Sequence, residues 1–145
     1  VKKFKISLII FLIISVANSA QAWSAKTIKK KRVAGEKNDM LAAASVYEGK
    51  KISLGCMGCH SFEKNGPTII GPNLFGVYGA KQARRKNYEY SDALKKHQGS
   101  TWTVDNLSDW LSDPEEYAPG TKMGFSGLAD PQERMDLIAY LMSLK

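Results

Sequence analysis

The sequence predicts an all-α protein in which helices and long loops are packed around something other than side chains alone. Three observations predict it. Several segments begin at a capping residue and continue with apolar residues at helical spacing. No segment alternates apolar and polar residues as a half-buried strand would. From Ser61 to Tyr90 there is little period and much punctuation (Gly66, Pro67, Gly71, Pro72, Gly76 and Gly79), and loops of that length are uncommon unless a further group packs them.

In chain order, Asn38 is placed to cap a first helix from about Asp39 to Ile52, where an alanine-rich run favours helix and delivers the chain to Cys56. After the long loop, Ser91-Asp92-Ala93-Leu94 reads as a short capped helix. Thr103 caps the next, with Leu107, Trp110 and Leu111 on one face and a stop at Asp113-Pro114; that face is expected to line the packed group. A last helix starts with Asp130 as cap, Pro131 at the first helical position and Glu133 placed to complete the cap, with Leu137, Tyr140, Leu141 and Leu144 as its buried stripe.

The N-terminal segment has a different character. Lys2, Lys3 and Lys5 precede the apolar run Ile6 to Ala17, and small and polar residues ending in Ala20-Gln21-Ala22 follow, the order of a secretory signal. A run of this length falls short of the ~20 residues a membrane-spanning helix needs. Residues 1–22 are therefore expected to be a signal peptide, 23–35 a basic linker and 36–145 one domain, with export to the periplasm; membrane contact follows only if the signal stays uncleaved.

The formal net charge of +7 suggests an acidic partner until it is located. Eight of the basic residues precede Val33, and from Val33 onward 13 basic residues face 14 acidic ones. The domain is near neutral, which removes the main support for nucleic-acid binding. Within it the charge is polarised: Gly49–Thr101 carries nine basic and three acidic residues, Trp102–Lys145 three and eight. Such a dipole can orient a partner during encounter.

Cys56-Met57-Gly58-Cys59-His60 carries the chemistry. Two thiols at this spacing can each add across one vinyl group of a single haem, while the adjacent histidine reaches the iron from one face; this is the haem attachment signature. A structural zinc site wants four ligands, and beyond these residues His97 is the sole remaining histidine. A thioredoxin-like dithiol expects a βαβ context that the chain lacks. A second axial ligand comes from Met123, Met135, Met142 or His97. Met135 and Met142 lie on the last helix, where methionine is more often core filler. His97 sits in a polar stretch. Met123 lies in the aperiodic loop Pro119–Phe125, whose glycines let backbone approach a flat ligand, and is the choice made.

Taken together, Cys56–His60, Gly71-Pro72-Asn73-Leu74, Tyr90-Ser91-Asp92-Ala93, Trp102, Tyr117–Met123 and Asp136–Leu141 occur in the order found in the soluble mitochondrial and bacterial cytochromes c, which the chain resembles from about Gly49 to Lys145. The resemblance implies the cytochrome c fold around one covalent haem c, with His60 and Met123 as axial iron ligands. It further implies that the Pro72 carbonyl orients His60, that Tyr90 and Trp102 donate to a buried propionate, that Thr121 contacts the distal side and that Phe125 packs at the exposed haem edge. Trp110 stands where the family usually has a tyrosine near the methionine sulfur, and Ala80 where it usually has a propionate-facing arginine. Ser53 replaces an aromatic under the first helix, although Gly49 and Tyr140 suit a close crossing of the terminal helices. Glu115-Glu116 replaces lysines of the basic ring at the haem edge.

The expected function is one-electron transfer by a periplasmic, monomeric carrier in a respiratory chain, between a donor (a dehydrogenase or bc1-type complex) and an acceptor such as a terminal oxidase. Its partners are transient redox proteins, with no small-molecule substrate. The alternative is an electron-accepting subunit of a specific periplasmic dehydrogenase. An enzymatic haem site would need an open iron position and usually a distal acid or base, and no histidine or carboxylate stands beside Met123.

Overall fold

In a computed structural model, residues 4–145 are described, with side chains from Ala22 onward. The segment 1–22, read as a signal, thus lies almost wholly outside the described side chains. The chain divides into two units, one ending at Asp39 and the other Met40–Lys145. Helix α1 spans Phe4–Ala42, so residues 23–35, expected as a linker, are helical and are exposed.

The second unit contains α2 (Val46–Ser53), a single 3₁₀ turn (Leu54–Cys56), α3 (Asp92–Lys95), α4 (Val104–Ser112), α5 (Pro114–Tyr117) and α6 (Pro131–Ser143). Among the described residues the only sheet-like pairing is an isolated bridge between Lys81 and Thr101.

The first helix differs from expectation. Instead of one helix from Asp39 to Ile52 capped by Asn38, the chain breaks at residues 43–45 and α2 starts afresh with Ser45 as its cap. The Ser45 hydroxyl accepts from the Glu48 N–H at 3.2 Å, while the Ser45 N–H donates to the Asp136 carboxylate at 2.8 Å. A long-range partner on α6 has taken the donor that a continuous helix would have used, which overrides the local preference of the alanines.

That bond also begins the crossing of α2 on α6. Gly49 is buried at the contact, and a Cβ there would collide with the Asp136 carbonyl and press on Tyr140. Glycine therefore sets how closely the two helices approach, as its pairing with Tyr140 suggested. Under them lies the core: Met135, Leu137, Ile138 and Leu141 from α6, Leu107, Trp110 and Leu111 from α4, with Phe62 and Trp102. The buried stripe of α6 is wider than expected, since Met135 and Ile138 join it at 1% and 0% exposure and Leu144 is only half-buried.

The helix caps at Ser91, Thr103 and Asp130 form as their residue types require. Asp113-Pro114 ends α4 but also starts α5, because the Asp113 carboxylate accepts from the N–H groups of Glu115 and Glu116, both at 3.0 Å, and proline suits a first helical position.

Candidate functional site

The 3₁₀ turn ends at Cys56, and a further turn follows in which the His60 N–H donates to the Cys56 carbonyl at 2.9 Å. This places Cys56, Cys59 and His60 on one wall of a cavity. No disulfide joins the two cysteines. Burial, reinforced by the nearby Cys59, pushes the Cys56 thiol up from its ordinary pKa.

The loop from Ser61 to Tyr90 forms the next part of the wall, and Asn73 organises it. The Asn73 amide donates to the Ser61 hydroxyl at 2.7 Å and the Glu63 carbonyl at 3.0 Å, and its carbonyl oxygen accepts from the Phe75 N–H at 3.1 Å and from Arg85 at 2.7 Å. The loop holds its shape through this buried amide rather than through regular structure. Just before it, His60 Nδ1 lies 2.7 Å from the Pro72 carbonyl, and a Cβ on Gly71 would run into the imidazole ring.

Helix α4 contributes Leu107, Trp110 and Leu111, and α6 contributes Leu137 and Leu141. Trp102 and Trp110 pack at 5.8 Å between ring centroids, and Tyr117 contacts both, at 5.9 Å and 5.7 Å. The loop after α5 adds Thr121, Met123 and Phe125 to the lining. It is shaped by Gly120 at φ +88°, by the Met123 N–H donating to Thr121 Oγ1 at 3.2 Å, and by the Phe125 N–H donating to the Met123 carbonyl at 2.9 Å.

Every residue singled out from the sequence as a cofactor contact lines this one cavity: Cys56, Cys59, His60, Pro72, Tyr90, Trp102, Trp110, Thr121, Met123 and Phe125. Of the four candidates for a second axial ligand, only Met123 does. Met135 is in the core, Met142 packs against it, and His97, in its polar stretch, is half-buried with its ring stacked on Tyr117 at 4.7 Å.

Sequence reasoning did not place Arg84 and Arg85 at the cavity. Both donate to the Phe75 carbonyl, at 2.7 Å and 3.1 Å, and both line the cavity. Burial, then the neighbouring Arg85, lowers the pKa of Arg84, while burial raises that of Tyr90. The signal available was the pair itself, on the loop leading into Tyr90.

The residues fit a large flat apolar group with a polar rim. The wall is mostly aliphatic and aromatic, the glycine at position 71 leaves the imidazole room, and a buried guanidinium nitrogen, Arg85 Nε, has no partner. Paired thiols and a following histidine on such a cavity define a protein of the covalent haem-binding, c-type class.

Residues 46–145 match the family described as Cytochrome c. The chain is 44% identical over 105 residues to a cytochrome c homolog of Bradyrhizobium diazoefficiens, covering 72% of this chain and 57% of that protein. It is 36% identical over 128 residues to a cytochrome c homolog of Rickettsia prowazekii, covering 88% and 71%. Cytochrome cH from Methylobacterium extorquens superposes with a TM-score of 0.62 at 46% identity, over 69% of this chain and 99% of that one. The chain belongs to the cytochrome c family. The chain spans less than two thirds of the length of the Bradyrhizobium relative, and its cofactor is covalently attached haem c.

Proposed function

We propose that the chain is an exported, monomeric one-electron carrier whose haem iron is held six-coordinate by His60 and Met123. The observation that carries this reading is the position of Met123: it lines the cavity that Cys56, Cys59 and His60 line, while Met135, Met142 and His97 do not. Haem c supplies a metal centre that takes up and gives up one electron. The protein's part is to fix and shield that centre. Cys56 and Cys59 tether the group, and the Pro72 carbonyl accepts the Nδ1 proton of His60, which leaves Nε2 free to bind metal. The Met123 thioether together with the His60 imidazole would favour the reduced state of the bound haem and raise its potential. Trp110, Trp102 and the α6 leucines exclude water from the centre.

The lysine-led apolar segment before Ala22 supports export to the periplasm. A donor of the dehydrogenase or bc1 type and an acceptor such as a terminal oxidase suit a carrier with this ligand pair. The test is a reversible redox titration of the haem-loaded full chain with a parallel peroxide assay. A single one-electron transition and no peroxide turnover are expected; turnover of peroxide would overturn the carrier reading in favour of an enzyme with an open iron.

A further inference from the structure

Four large apolar side chains stand in water near the cavity without lining it: Tyr47 at 70% exposure, Leu54 at 61%, Ile69 at 50% and Met57 at 41%. Since none is on the cavity wall, a haem that fills the cavity does not cover them. Single exposed apolar residues are ordinary, whereas a group of them on one surface marks a contact site. These four share a surface. Tyr47 and Leu54 are seven residues apart on α2 and the 3₁₀ turn that extends it, which puts them on one face. The Leu54 carbonyl accepts from the Met57 N–H at 3.3 Å. The Gly71 N–H donates to the Cys59 carbonyl at 2.8 Å and the Ile69 N–H to the Gly71 carbonyl at 3.1 Å, so the turn that carries Ile69 is fastened to the Cys56–His60 turn. Gly55, Cys56 and Ile70, the chain neighbours of Leu54, Met57 and Ile69, line the cavity, so this strip borders the wall that holds the thiols.

The strip carries little charge. No aspartate, glutamate, lysine or arginine occurs from Ile52 to Phe62 or from Asn65 to Ala80. Lys51, between Tyr47 and Leu54, lies 2.9 Å from the Glu48 carboxylate and 5.4 Å above the Tyr47 ring, so its charge is balanced locally and Lys50 is left as the net charge of α2. The centres of protein interfaces have this character: they are depleted in lysine and acids and enriched in aromatic residues and methionine.

We infer that this strip, from Tyr47 through Leu54 and Met57 to Ile69, docks a redox protein whose own contact face is apolar and uncharged, and that burial of these side chains rather than attraction between charges holds the pair together. Two observations select that occupant over a second copy of the chain. Four side chains make a patch on the scale of weak electron-transfer encounters, well below what a stable dimer buries. The strip also borders the wall of Cys56 and Cys59, so a partner seated there stands beside the redox centre, whereas a lasting dimer would cover that place and shut out exchange. The inference rests on the carrier reading and names the kind of partner that reading leaves open.

The experiment follows oxidation of the reduced, haem-loaded full chain by washed respiratory membranes of the producing organism, for wild type, Leu54→Gln/Ile69→Gln and Lys86→Gln. In each turnover the haem iron loses one electron and the membrane-bound acceptor gains it. For wild type the KM should not change with sodium chloride, which screens charge, and should fall in sodium sulfate, which strengthens apolar burial; this reading needs no variant to fold. Leu54→Gln/Ile69→Gln should raise KM about tenfold, the loss expected when two part-exposed aliphatic contacts go unmade, while kcat stays as in wild type. Lys86→Gln, on an exposed cation away from the strip, should change neither. A KM that climbs steeply with sodium chloride, a wild-type KM for the double variant, or no oxidation of wild type would overturn the inference. Sedimentation equilibrium gives a readout apart from turnover: a monomer is expected, and a dimer that the double variant dissolves would assign the strip to a second copy and overturn it too. Redox titration of the same samples separates the two failures. Loss of the reversible one-electron transition in wild type fails the carrier reading, whereas an intact transition beside any of the contrary results fails the docking face alone.

Discussion

His60 Nδ1 sits 2.7 Å from the carbonyl oxygen of Pro72, and Gly71 lies flat against the same ring. The two contacts restrict the imidazole in complementary ways: the carbonyl fixes its rotation, and the missing side chain gives it the space to occupy. Gly71→Ala would push a methyl into the ring. The expected outcome is a loss of about 1–3 kcal/mol, the usual cost of overpacking a filled site, together with a shifted haem spectrum. Denaturant unfolding of the holoprotein, followed at the haem absorbance, measures both.

Attachment through Cys56 and Cys59 is checked by denaturing electrophoresis and acid-acetone extraction. Haem should remain on the wild-type chain through both. Cys56→Ser or Cys59→Ser leaves a single thioether and weaker retention, and the double variant should lose its haem. A wild-type chain stripped of haem by either treatment would refute covalent attachment.

How much of this was legible in the sequence depended on whether the determinant was local. The caps at Ser91, Thr103 and Asp130 act within three or four residues, and they form where the residue types placed them. The Cys56–His60 motif is likewise local, and resemblance to a known family carried its cavity partners. The break at Ser45 was not legible, because it depends on Asp136, 91 residues away. Nor was the inward turn of Arg85, which is set by the Phe75 carbonyl and the Asn73 amide across the loop rather than by anything adjacent. The polar neighbours of His97 gave no sign of its stacking partner Tyr117.

The proposed role of Met123 as sixth ligand predicts a weak near-infrared sulfur-to-iron band in the oxidised protein. Met123→Ala should abolish the band and open the iron to cyanide or carbon monoxide. His97→Ala should leave the band intact, since its ring packs on Tyr117 outside the cavity. Persistence of the band without Met123 would transfer the assignment to Met135 or Met142, and would require α6 to turn a residue out of the core.

The last prediction concerns docking. Electron-transfer encounters are small and steered by charge, so their rates report the side chains around the site of contact. Glu115 and Glu116 stand at the start of α5, and the Gly120 N–H donates to the Glu115 carboxylate at 2.9 Å, so this acidic pair is continuous with the loop that carries Met123. Lys122, the cation of that loop, is engaged with Glu89. The surface beside Met123 is therefore poorly suited to an acidic partner, and the rate with an acidic-patch oxidase should change little between low and high salt. Replacing both glutamates with lysine should accelerate that reaction. Glu116→Lys alone is the cleaner probe, because Glu115→Lys also removes the brace on Gly120. A steep fall of the wild-type rate with salt, and no gain in the lysine variants, would place docking on another basic surface. Arg84 stays exposed while it donates to the neutral Phe75 carbonyl and keeps its charge, so that surface would centre on Arg84, Arg85 and Lys86.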